Sequence, residues 1–156
     1  MDLAKQIEPN ADTARRRAAG LLARATKDEL HAAWERLPSR PEVTPVRGPE
    51  TGLVMVRGRI GGGGAPFNLG EATVTRATVL LGSGTAGHAH ALGTAKENVR
   101  LAAIFDALWQ EPGTRDYVEA ALLAPIEARI AVEDRQKAEE TAATRVDFFT
   151  MVRGDD

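Results

Sequence analysis

The chain has 156 residues, 43% hydrophobic and 27% charged, with a formal net charge of -2. That suits one domain with a real core, and it lacks the basic excess of a nucleic-acid or anionic-membrane binder. There is no cysteine, which excludes disulfides, thiolate nucleophiles, zinc–sulfur sites and iron–sulfur clusters carried by this chain.

The N-terminal "MDLAKQIEPNADTARRR" has no apolar core like that of a secretory signal. No apolar run approaches the roughly 20 residues of a membrane span. A cytoplasmic protein is the expectation. "DTARRRAAGLLARA" follows, with Ala14, Ala18, Leu21, Leu22 and Ala25 on one helical stripe. Thr26 and Glu29 have capping-box spacing and open a second helix, whose buried face is Leu30, Ala33, Trp34 and Leu37. Pro38 and Pro41 end it.

From residue 42 the pattern changes. "EVTPVRG" is extended and broken by prolines. "TGLVMVRGRI" reads as a strand, with Val54, Val56 and Ile60 on one side and Arg57 and Arg59 on the other. "GGGG" at 61–64 is a hairpin-type connection. "FNLGEATVTRATVLL" is a second strand region, dense in β-branched residues. Gly82, Gly84 and Gly87 punctuate, and "HAHAL" is a short third strand. The short connections imply an antiparallel meander.

Helices then return. Thr94 and Glu97 repeat the capping-box spacing, and Leu101, Ile104, Phe105 and Leu108 form the buried stripe of a helix ending near Pro112 and Gly113. Another starts at "TRDYVEAALLA". Pro125 either opens a new helix or kinks this one. Beyond Val132 the last helix offers only alanines to a core, so it should run along a surface or touch a partner. The order predicts one α+β domain over 1–156. It has a helical part at 1–40, strands at 42–92, helices at 94–145 and an extended docking tail at 146–156.

The candidate sites are few. The glycine run leads into Pro66 and a strand instead of a helix N-terminus, so a hairpin loop fits better than a phosphate loop. His88 and His90 would face one way on a strand, but no third metal ligand is evident; Glu71 is the nearest candidate, and a wetted face or interface is the favoured use. Arg57, Arg59 and Arg76 could bind a phosphate-rich ligand, or could be solvated sheet charges. Gly-x-Ser-x-Gly and His-Glu-x-x-His are absent. The carboxylates fall mostly at helix positions that look solvent-facing.

The tail, "RVDFFTMVRGDD", is unusual in a chain with 4% aromatics. As a strand it puts one phenylalanine on each face, so it wants cover on both sides. Either it folds into its own core or it docks on another chain. Its place after a polar helix favours docking, through Val146, Phe148, Phe149 and Met151, with Arg145, Asp147 and Arg153 as polar anchors.

"TAATRVDFFTMVRGD" is very similar to the closing signature of the PhnG family, the G subunit of the bacterial carbon–phosphorus lyase core complex. "FNLGEATVTRATVLL" resembles the family's strand segment through Gly70, Glu71, Ala72, Thr73, Thr75 and Arg76. "TGLVMVRGRIGG" and the helix around Asp106, Ala107 and Leu108 also fit. The resemblance runs from Thr51 to the end; the first fifty residues match only in helical style. The His-x-His segment varies in the family. The resemblance implies an accessory subunit needed with H- and I-type subunits (PhnH, PhnI) for a step in which a phosphonate displaces adenine from ATP, giving a ribose 1-alkylphosphonate 5-triphosphate. ATP is then a substrate of the complex, and this chain carries no cofactor. The I-type subunit holds the chemistry, and a J-type subunit (PhnJ) with an iron–sulfur cluster later breaks the carbon–phosphorus bond. It implies no catalytic residue here and an inactive isolated chain. Two alternatives remain: direct ATP or phosphonate binding through the strand arginines, and a stand-alone homo-oligomeric binding protein.

Overall fold

Runs of valine, threonine, leucine and isoleucine with short connections build a three-stranded antiparallel meander, in the order β1-β2-β3. The computed structural model describes residues 11–144. Strand β1 (Val43–Arg59) joins the proline-broken stretch and the valine-rich stretch into one strand. Pro45 and Pro49 are tolerated because β1 lies at the sheet edge, and the register slips around them, between Pro45 and Arg47 and between Arg47 and Glu50. Within the second slip Gly48 takes φ 66; a Cβ there would lie 2.5 Å from the Glu50 amide nitrogen. A 3-10 turn (Ile60–Gly62) leads into β2 (Pro66–Leu81), and β3 (Ala86–Leu92) follows.

The helices cover one face of this sheet. They are α1 (Ala11–Ala23), α2 (Lys27–Glu35), α3 (Lys96–Gln110), α4 (Pro112–Val118) and α5 (Ala124–Ala143). The α+β reading thus holds, with helices before and after a central meander. The Thr26–Glu29 capping box forms: the Glu29 amide donates to Thr26 Oγ1 at 3.3 Å and the Thr26 amide to Glu29 Oε2 at 2.8 Å. The second expected box does not. Helix α3 begins after Ala95 with no side-chain cap, and Glu97 turns instead to Arg100 at 2.8 Å. That guanidinium holds the Glu97 carboxyl below the usual carboxylate range.

Helix α3 is the core element. Every residue from Leu101 to Trp109 is buried, not one stripe only, because the sheet covers one side and α1, α2 and α4 the other. Gly87 makes that close approach feasible. Expected as punctuation, it lies inside β3, where a Cβ would overlap the Ala103 carbonyl oxygen and sit 2.8 Å from Ala107 Cβ. Between α4 and α5 a π-helical turn (Glu119–Leu123) keeps the backbone helical from Val118 to Ala124. The widened turn precedes Pro125, whose missing N–H cannot serve an i→i−4 bond. Pro125 therefore sits in one continuous helical path. Ile126 and Ile130 of α5 are buried, and from Glu133 its positions are almost all exposed.

Candidate functional site

Alternate residues of β2 decide where the sheet is covered. Thr75, Ala77, Val79 and Leu81 are buried against the helices, while Val74, Arg76, Thr78 and Leu80 face the other way. Strand β3 pairs only with Val74–Leu80 of β2. Beyond that point β1 and β2 continue as a two-stranded arm, residues 51–59 against 66–73, in which no residue is buried.

The arm is apolar on both faces. Cross-strand partners share a face. Leu53 opposite Thr73 and Met55 opposite Glu71 prolong the face that the helices cover in the body. Leu53 and Leu69 are 64% and 62% exposed. Leu69 lies across Gly58, where a Cβ would come within 2.5 Å of its Cδ1. The outer face carries Val54 opposite Ala72, Val56 opposite Gly70 and, past the extra residue of β2, Gly58 opposite Phe67.

Arg57 and Arg59 were expected on the side opposite Val54 and Val56. The register slip between Val56 and Arg57 puts its extra residue in β2, so β1 keeps its alternation: Arg57, opposite Asn68, and Arg59, opposite Pro66, lie on the side away from Val54 and Val56. Among the described residues neither arginine forms an ion pair. Arg76 is not brought to them. It lies opposite Glu50, its Nε 2.7 Å from Glu50 Oε1, and Glu50 is seven residues along β1 from Arg57, roughly 20 Å at strand rise.

His88 and His90 do share the outer face, opposite Thr78 and Arg76. A ring nitrogen of His88 lies 3.1 Å from Thr78 Oγ1, and His90 neighbours a guanidinium. Glu71 pairs with Met55 on the inner face of the arm, away from both histidines. Among the described residues no group of three histidines or carboxylates is placed to hold a metal ion. The segment 82–87 has Gly-x-Gly-x-x-Gly spacing, but it turns between antiparallel strands and opens no helix, so it is not a dinucleotide-binding turn. The tail residues Arg145, Val146, Asp147, Phe148, Phe149, Met151 and Arg153 lie outside the described residues.

The root of the arm is fixed by polar contacts. Thr75, fully buried, donates to the Gly93 carbonyl at 2.7 Å. Its hydroxyl hydrogen is thus used, so Thr51 donates to Thr75 Oγ1, at 2.8 Å. Asp106 does similar work below the sheet. The sequence reading puts carboxylates at the surface, but Asp106 is 1% exposed. It accepts from Arg15 Nε and Nη2 at 3.2 and 2.8 Å and from the His88 amide at 2.9 Å. It thereby ties α1 and α3 to β3, and hydrogen bonding to Asp106 raises the Arg15 pKa. The signal was its position inside "LAAIFDALW", the lone charge in an apolar helical run.

Other ion pairs hold α5 to the body. Arg17 reaches Glu127 at 2.6 Å and Glu119 at 3.2 Å; Arg129 reaches Glu29 at 2.7 Å. Burial opposes ionisation of Glu29, but hydrogen bonds from Arg129 and Thr26 outweigh it and hold its carboxyl below the usual range. No helix among the described residues is long and apolar enough to cross a membrane.

The family model for "Phosphonate metabolism protein PhnG" matches residues 13–154. A curated protein of Rhizobium meliloti (strain 1021), named alpha-D-ribose 1-methylphosphonate 5-triphosphate synthase subunit PhnG, is 63% identical over 156 residues, covering 100% of this chain and 99% of that protein.

Proposed function

This chain belongs to the phosphonate metabolism protein PhnG family, and we propose that it is the assembling, non-catalytic subunit of an alpha-D-ribose 1-methylphosphonate 5-triphosphate synthase. In that reaction a phosphonate oxygen forms a bond to ribose C1 of ATP while the bond from C1 to adenine breaks. H- and I-type subunits are its partners in this step, with the I-type subunit carrying the chemistry, and a J-type subunit acts on the product.

The observation that carries this reading is the arm. Leu53, Val54, Met55, Val56, Phe67 and Leu69 are 40–64% exposed on a two-stranded ribbon. Isolated two-stranded ribbons are marginal in water, and soluble monomers rarely leave contiguous apolar surface bare. A ribbon apolar on both faces suits insertion between surfaces of another subunit. The name of the Rhizobium relative, a synthase subunit, supports the same reading. The test is reconstitution. Adenine release from ATP and methylphosphonate by the H- and I-type subunits should require this chain and should fail with a folded, arm-substituted variant. Full release without the chain would overturn the proposal.

A second reading rests on Arg57 and Arg59, which lie two residues apart on one face of the arm. Two guanidiniums so placed suit a polyphosphate. Calorimetric titration of the isolated chain with ATP decides it: submillimolar binding lost in Arg57→Ala/Arg59→Ala would favour direct substrate binding, and no binding removes it.

A further inference from the structure

The arm has free edges as well as bare faces, and one edge is open in a specific way. Sheet edges are normally guarded by prolines, bulges or charges. The first half of β1 has such guards: Pro45, Pro49 and two register slips before Glu50. From Thr51 to Val56 there is no proline, no lysine and no slip; the pairing runs regularly from Thr51–Thr75 to Val56–Gly70. The next slip, after Val56, ends this regular stretch.

The direction of the backbone groups there follows from one hydrogen bond. The Gly93 amide donates to the Thr73 carbonyl at 2.9 Å, so Thr73 points its backbone groups toward β3. In an antiparallel pair the N–H and C=O of one residue point the same way, and directly opposite residues either both face each other or both turn away. Leu53 lies opposite Thr73. Its N–H and C=O therefore point away from β2, to the open side, and so do those of Thr51 and Met55, two residues to either side. Gly52, Val54 and Val56 form the ladder to β2. Among the described residues nothing bonds the outward groups.

We propose that Thr51, Leu53 and Met55 receive an extended segment of a partner subunit of the synthase as an added strand. The added strand continues the sheet past β1. Its inward side chains cover Leu53 and Met55, and carboxylates at one end of it pair with Arg57 and Arg59. Three features specify this occupant. Main-chain groups at strand spacing fit only another extended chain. The exposed leucine and methionine on that row fit apolar side chains. The two arginines, without a described carboxylate, fit an acidic flank. A partner subunit is favoured over a second copy because the related Rhizobium protein is named as a subunit; the inference rests on the assembly reading above.

Amide hydrogen exchange on the intact chain, alone and in complex with the H- and I-type subunits, tests it. The Thr51, Leu53 and Met55 amides should exchange freely in the isolated chain and become protected in the complex, while Val54 is protected in both. Leu53→Pro removes an outward N–H without touching the ladder to β2. It should leave the isolated chain folded and weaken partner binding by about tenfold or more, and beyond the loss in Leu53→Thr, which keeps the N–H. If the complex forms while these amides stay unprotected, or Leu53→Pro binds no more weakly than Leu53→Thr, the added strand is wrong and the subunit reading stands. If the amides are already protected in the isolated chain, the edge is held by a second copy or by the chain's own tail, and the inference falls. If no complex forms at all, both readings fall.

Discussion

Asp106→Ala should be the most costly change among the polar side chains of the fold. It removes the acceptor for both Arg15 nitrogens and for the His88 amide, and with it the join between α1, α3 and β3. Breaking a fully buried ion pair costs about 3–5 kcal/mol. Here the Arg15 side chain is 40% exposed and can turn to water, which reduces that cost. The His88 amide, left without its acceptor, adds about 1–3 kcal/mol. The net expectation is a loss of about 3 kcal/mol, a fall in Tm of roughly 6–12 °C for a domain of this size. Asp106→Asn keeps an acceptor for the amide and should lose about half as much. Urea denaturation monitored by circular dichroism gives both values. If Asp106→Ala and Asp106→Asn each lie within about 0.5 kcal/mol of the parent, the carboxylate does not bind the layers together and the packing account is wrong.

Gly87→Ala should destabilise by at least about 2–3 kcal/mol, because the new methyl meets helix backbone that cannot rotate aside; a neutral effect in the same urea titration would show that β3 and α3 are further apart than described. Glu29 gives a pH dependence with a definite sign. Its folded pKa is lowered, so the Arg129–Glu29 contribution is fully present above the ordinary glutamate pKa of about 4.3 and is lost as pH falls through the folded value. Arg129→Met should cost about 1–2 kcal/mol at pH 7 and flatten the acid limb of the stability curve, and an unchanged limb would contradict the assignment.

Local chemistry was legible in the sequence where it depended on neighbours in the chain. Thr26 and Glu29 close their box because the spacing and the exposed helix start suffice. The alternation in 51–60 gave the strand, and the β-branched run at 67–81 gave its partner. What failed depended on partners distant in sequence. The slip after Val56 is a property of the β1–β2 pairing, and it sets which β2 residues, Asn68 and Pro66, lie opposite Arg57 and Arg59. Thr94 and Glu97 are the local exception: their spacing is right, but Arg100, three residues on, competes for Glu97. Asp106 looked like any helix carboxylate until Arg15, 91 residues away, came beside it. The sequence also had no way to show that β1 and β2 run on past the body as an arm, which is what leaves Leu53, Met55, Phe67 and Leu69 uncovered.

Those four residues supply the most direct test of the assembly claim. They are 41–64% exposed, together about two side chains' worth of apolar surface, so covering them contributes roughly 3–6 kcal/mol. Replacing them by threonine keeps strand propensity, and the contacts it loses in the isolated chain are confined to the arm, outside the buried core. Binding of the Leu53→Thr/Met55→Thr/Phe67→Thr/Leu69→Thr variant to the H- and I-type subunits should fall by about 100-fold or more, with the helical core still folded by circular dichroism. Undiminished binding by a folded variant would contradict the account and move the interface off the arm.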